Sequence, residues 1–103
     1  MDLTEKLYKE TEGLPDTEKF GLFVQTRKCA VSIPSNIAEG AGRNTKGEFI
    51  NFLGIASGSA SELQTQIELC RRFNYVDFDT AKQLDDTIEE VQKMIYNLIK
   101  SLR

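Results

Sequence analysis

The chain has no histidine, no tryptophan, and only two cysteines and two prolines among its 103 residues. Each scarcity removes something. Without histidine it lacks the commonest general base and the commonest metal ligand, so most hydrolase and zinc-site schemes have no residue to start from. Two cysteines cannot build a disulfide framework, and Cys29 and Cys70 read as small buried hydrophobes in a reducing compartment. No apolar run approaches the roughly 18 residues that cross a bilayer, and no signal-peptide pattern is visible. The expectation is a cytoplasmic protein with no membrane partner. Strand-type alternation, internal repeats and low-complexity tracts are missing as well. The net charge is −3, with 13 basic against 16 acidic residues. That balance argues against bulk electrostatic capture of nucleic acid and leaves only a local basic patch open.

What is present is helical periodicity, in a length that suits one domain over residues 1–103 with a single core. Leu84, Ile88, Val91, Ile95, Leu98 and Leu102 recur at steps of four and three, the seam of a left-handed bundle. Asp85, Asp86, Glu89, Glu90, Lys93 and Lys100 lie between them as a solvated face. Asp77 or Asp79 can cap this helix, predicted over 79–102. Phe49, Phe52, Ala56, Ala60, Leu63, Ile67 and Cys70 repeat the period. Thr45 and Glu48 form a capping box at its start, while Arg71, Arg72 and Asn74 suit its end, so the helix is predicted over 46–73.

Over 16–43 two apolar stripes overlap: Phe20, Val24, Val31 and Ala38, and then Phe23, Ala30, Ile33 and Ile37. A helix apolar on two sides is expected to be buried on two sides. Pro34 should bend it without ending it, and Gly40 and Gly42 mark its exit. Leu3, Leu7 and Leu14, with Tyr8 beside them, predict a shorter first helix closed by Gly13-Leu-Pro15. The fold expected is all-α, an antiparallel up-down-up-down four-helix bundle with a shortened first helix. In that pairing Cys29 faces roughly position 58, on the order of 18 Å along the axis from Cys70, beyond disulfide reach.

Three features bear on activity. Ser32, Asn36, Glu39 and Arg43 fall on one polar stripe, which is either a solvated or subunit-facing surface with a weak ion pair or a binding surface. Gly54, Ser57, Gly58 and Ser61 form a small-residue face inside the third helix. Glycine there costs about 1 kcal/mol relative to alanine, so close approach of two helix backbones is expected, within the chain or across a subunit contact. A phosphate loop is excluded because such loops follow a strand and open a helix. Ser32, Ser35, Ser57, Ser59 and Ser61 have no histidine to activate them, and the paired carboxylates of the last helix have nothing to separate their pKa values. No enzyme, cofactor or metal site is therefore expected. Arg27 and Lys28, then Arg43 and Lys46, then Arg71 and Arg72 are solubilising cations that become a nucleic-acid footprint only if copies gather in a ring.

The run Arg27-Lys-Cys-Ala-Val-Ser-Ile-Pro-Ser-Asn-Ile-Ala-Glu-Gly-Ala-Gly-Arg43, followed by Lys46-Gly-Glu-Phe-Ile-Asn-Phe-Leu53 and Ile55-Ala-Ser-Gly-Ser-Ala-Ser-Glu-Leu63, resembles the four-helix-bundle proteins encoded in intervening sequences of bacterial 23S ribosomal RNA genes. The resemblance spans nearly the whole chain. It implies a bundle that assembles into a homopentameric ring, and no assigned activity. Relatives that accompany reverse transcriptases of diversity-generating retroelements are basic rings that bind the polymerase and nucleic acid. Two departures stand out: members of the family begin further upstream with an aromatic-rich segment, and this chain is acidic where those accessories are basic. The expectation is a non-enzymatic, ring-forming interaction scaffold whose first partner is itself. The alternative is a weak RNA- or DNA-binding accessory, linked to ribosomal RNA or to a nucleic-acid-processing protein such as a reverse transcriptase.

Overall fold

The computed structural model describes residues 17–103. Three helices follow one another there: α1 (Thr17–Ala41), α2 (Lys46–Arg72) and α3 (Phe78–Leu102). No strand occurs among the described residues. The all-α expectation holds for these three, with ends within two residues of those predicted. The first of the four expected helices, with Leu3, Leu7 and Leu14, lies outside the described residues.

Local chemistry explains the helix ends. The Thr45 hydroxyl oxygen accepts the Glu48 amide at 3.1 Å, and the hydroxyl donates to Glu48 Oε1 at 3.1 Å. This is the capping pair read from the sequence, with the carboxylate taking the hydroxyl proton. Asp77 caps α3, its Oδ1 accepting the Thr80 amide at 2.6 Å. At the end of α2 the Tyr75 amide reaches the Cys70 carbonyl at 2.8 Å and the Asn74 amide the Arg71 carbonyl at 3.0 Å. Asn74 takes a φ of 59° to do so. That is a Schellman closure with asparagine in the left-handed position. Pro34 sits inside α1, which continues through it to Ala41.

α2 is the middle element. It packs antiparallel against α1 on one flank and α3 on the other, whereas no Cα of α1 comes within 8 Å of a Cα of α3. The outer two helices stand across a shared core. Cys29, Ala30 and Ile33 of α1 meet Leu53, Ala56, Ala60, Leu63 and Ile67 of α2 and Ala81, Leu84, Ile88, Val91 and Ile95 of α3. The Cys29 thiol donates to the Ser59 carbonyl at 3.0 Å, close to the register expected from antiparallel pairing. Both cysteines are buried and free.

Two expectations are narrowed by the described helices. Of the two apolar stripes on α1, Phe23, Ala30 and Ile33 are buried, but Phe20 is 50% and Val31 38% exposed. The stripe that includes Phe20 and Val31 is not covered by the described helices, because α2 alone among them packs closely on α1 and lies on another side. Nor do Gly54 and Gly58 mediate close packing inside the chain: both are exposed, and a Cβ built on either meets no atom within 4 Å. The close approach is made instead by Ala56 and Ala60, both fully buried, and by Gly40. A Cβ on Gly40 would lie 2.6 Å from Phe52 Cβ and 3.0 Å from Phe49 Cδ1.

The glycines should therefore respond in opposite directions. Gly40→Ala forces the α1–α2 corner apart and should destabilise the chain by about 1–3 kcal/mol despite the better helix propensity of alanine. Gly58→Ala should leave the folded chain unchanged or raise its stability by up to about 1 kcal/mol, since the methyl enters open space. Urea unfolding of the two variants checks both.

Candidate interaction surface

The polar stripe of α1 divides between two structural tasks. Ser32 is half-buried in the α1–α2 seam, where its hydroxyl shares a hydrogen bond with Ser59 Oγ at 2.8 Å. Asn36 folds back on it, Nδ2 donating to the Ser32 carbonyl at 2.8 Å and to Ser32 Oγ at 3.1 Å. Further along, Arg43 pairs with Glu39 at 2.6 Å and reaches Glu48 at 3.9 Å, and its guanidinium lies 4.9 Å from the Phe52 ring centre. These contacts clamp the α1–α2 corner, where Gly40 permits close approach. The stripe therefore acts within the chain, and only its outer edge remains as a surface.

Of the cations expected beside it, Lys28 and Lys46 are exposed and Arg27 is half-buried. Lys28 and Lys46 make no ion pair among the described residues. Arg43 is charge-compensated by Glu39 and Glu48. The four do not form a basic patch of free cations.

A second polar seam joins α2 to α3, and the sequence reading gave its amides no part. Ser57 Oγ donates to Gln92 Oε1 at 2.8 Å, and Gln92 Nε2 donates to the Ser57 carbonyl at 3.0 Å and to Ser61 Oγ at 3.1 Å. Gln64 Nε2 bridges Asp85 Oδ1 at 3.2 Å and Glu89 Oε1 at 2.8 Å. Ser57 and Ser61 thus face α3 as hydrogen-bonding groups, while Gly54 and Gly58 turn outward. Asp85 and Glu89 are engaged with Gln64, where a solvated face was expected. The available signal was position: Gln64 and Gln92 each follow a core residue, Ala60 and Ile88, by one helical step of four.

Arg71 and Arg72 also do more than complement the end of α2. Both bond the Glu68 carboxylate, at 2.6 Å and 3.0 Å. Hydrogen bonds from Arg71 and then Arg72 lower the Glu68 pKa from its ordinary 4.5 to about 2. Burial raises both thiols to about 11, helped at Cys29 by the Glu62 carboxylate and opposed at Cys70 by a hydrogen bond with Thr26. Neither is a nucleophile at neutral pH. Among the described residues no group of three or more His, Cys, Asp or Glu can hold a metal ion, and no helix is long and apolar enough to cross a membrane.

The arrangement defines an all-helical protein in which several polar side chains join neighbouring helices. The chain belongs to the 23S rRNA-intervening sequence protein family, whose profile matches residues 1–97. Among solved structures it is similar to a protein with unknown function from the S23 ribosomal protein family of Bacteroides thetaiotaomicron, with 22% identity and a TM-score of 0.76. That match covers 95% of this chain and 98% of the other. No functionally curated protein shows a significant match to the chain.

The Glu68 cluster yields a pH prediction. A carboxyl whose pKa is lowered by folding contributes stability that is complete above its unfolded value and is lost as pH falls through its folded value. Carbon-detected NMR should place the Glu68 midpoint near 2 rather than 4.5. In Glu68→Gln, the loss of stability between neutral pH and pH about 3 should be shallower than in the parent.

Proposed function

We propose that this protein is a non-enzymatic scaffold that works as a closed homo-oligomer, five copies in a ring as its family resemblance implies, in the cytoplasm. In this reading residues 3–14 supply the first helix of a four-helix bundle. The observation that carries the proposal is the pair of faces left open by the chain. The stripe of Phe20, Val24, Val31 and Ala38 on α1 includes Phe20 and Val31, exposed by 50% and 38%. The outer face of α2 presents Gly54 and Gly58 with nothing above them. Interior glycines lower helix stability by about 1 kcal/mol each relative to alanine, and no contact among the described residues accounts for these two. A ridge and a smooth face on different helices suit a heterologous contact, which closes into a ring when the rotation allows.

Absence of catalysis is supported by the titratable groups. The chain has no histidine, both thiols keep their protons at neutral pH, and the carboxyls with a resolved shift among the described residues, Glu68 and Asp77, are shifted downward. A general acid at neutral pH needs the opposite shift.

Light scattering and sedimentation should give a multiple of the 11.6 kDa chain mass. Gly58→Leu should reduce that multiple while the helical circular dichroism is retained, because a Cβ at Gly58 has no described atom within 4 Å and the residue is exposed. A parent protein found only at 11.6 kDa at micromolar concentration would sink the proposal.

Lys28 and Lys46, exposed and unpaired, favour one further reading, a weak RNA- or DNA-binding role for the ring. Binding to a structured RNA should then be weak, insensitive to sequence, and lost on raising salt. Tight binding that survives high salt would put this reading first, and no binding at low salt would leave a protein partner.

A further inference from the structure

A cleft of about 330 Å³ opens between α1 and α2, away from the apolar stripe of α1 and beside the Ser32–Ser59 contact. Gln25, Lys28, Cys29 and Ser32 form its α1 wall; Ser59, Glu62 and Gln66 form its α2 wall. No aliphatic or aromatic side chain lines it. We propose that this cleft binds a small zwitterion, a molecule of the size of a free α-amino acid with a carboxylate at one end and an ammonium at the other.

The two walls differ in hydrogen-bonding character. On α1, the Lys28 ammonium makes no ion pair and the Gln25 amide no hydrogen bond among the described residues. On α2, Glu62 is in no ion pair, its one polar contact being the Cys29 thiol at 3.8 Å. Gln66 Oε1 is buried without a hydrogen-bond partner. Lys28 and Glu62 thus face one cleft without closing on each other, which leaves room between opposite charges. The Ser32 and Ser59 hydroxyls share a single hydrogen bond. Two hydroxyls carry two protons, so one remains to be donated to an acceptor in the cleft.

Other ligand classes fit less well. An apolar molecule finds no apolar wall. A dianion such as phosphate meets one ammonium and a facing carboxylate, and a simple cation is opposed by Lys28. A zwitterion satisfies both walls at once, its carboxylate toward Lys28, Gln25 and the spare hydroxyl proton, its ammonium toward Glu62. The Cys29 thiol keeps its proton, held up to about 11 by burial and Glu62, so the cleft holds its ligand without attacking it. The site does not depend on the oligomeric scaffold reading. Lys28 and Glu62 are exposed, so binding through them should be modest.

The test follows the side-chain amide signals of Gln25 and Gln66 in the ¹⁵N-labelled full chain. Glycine, alanine, serine and glutamine are added singly, with acetate and methylammonium as the two separated halves of glycine. At least one amino acid should shift both signals saturably in the millimolar range, and the halves should not. Lys28→Met and Glu62→Gln, each with an unchanged backbone spectrum, should weaken binding about tenfold or more. Absence of any saturable shift at tens of millimolar overturns the proposal. So does an equal response to acetate, or parent-like binding by both variants.

Discussion

Burial of one face of α2 is the constraint on which the rest depends. Leu53, Ala56, Ala60, Leu63 and Ile67 are almost fully withdrawn from solvent, and they face both neighbouring helices at once. Each large aliphatic side chain so buried contributes about 1.5–3 kcal/mol, and the alanines let the backbones of α1 and α3 approach. The outer helices do not pack backbone to backbone. They share a core only because α2 brings them to it. Gly40 extends the same logic to the corner, where any larger residue would strike Phe52 and Phe49.

A seam rich in alanine buries area but specifies register weakly, since small side chains slide past one another with little penalty. The polar pairs flanking it supply the discrimination. On the α1 side, Cys29 and Ser32 bond to Ser59. On the α3 side, Gln92 bonds to Ser57 and Ser61, and Gln64 to Asp85 and Glu89. Such bonds are worth only about 1 kcal/mol each net, but shifting the helices by one turn would leave several partly buried groups unpaired at about 1–3 kcal/mol apiece. The serines and glutamines thus hold the alignment that the apolar seam stabilises.

This division of labour occupies most of the reactive side chains among the described residues. Of the serines that look like candidate nucleophiles, Ser32, Ser57, Ser59 and Ser61 are bonded to neighbouring helices, the thiols are buried and protonated, and the ion-pair cluster of Glu68 with Arg71 and Arg72 closes the end of its own helix. What the chain leaves uncommitted are surfaces: the apolar ridge of α1, the bare glycine face of α2, and the polar cleft between them. The solved structure from the S23 ribosomal protein family shares this fold, with a TM-score of 0.76.

Periodicity and capping chemistry are local, and they were legible. The seam from Leu84 to Leu102, the Thr45–Glu48 box, the Asp77 cap and the closure at Asn74 all follow from residues within one or two turns of each other. The Ser32–Asn36–Glu39–Arg43 stripe was legible as a stripe and not as a destination. Whether a polar side chain meets water or another helix depends on the rotation of two helices about their axes. The same holds for Gly54 and Gly58, whose helix period shows only that they share a face. The sequence by itself determined three helices, their ends and their apolar seams, because each depends on neighbours in the chain. Only the tertiary structure decided which glycine touches a neighbour, which serine is bonded and which apolar stripe stays open. Those outcomes depend on the packing angle and register of α1 and α3 against α2, and residues far apart in sequence set them together.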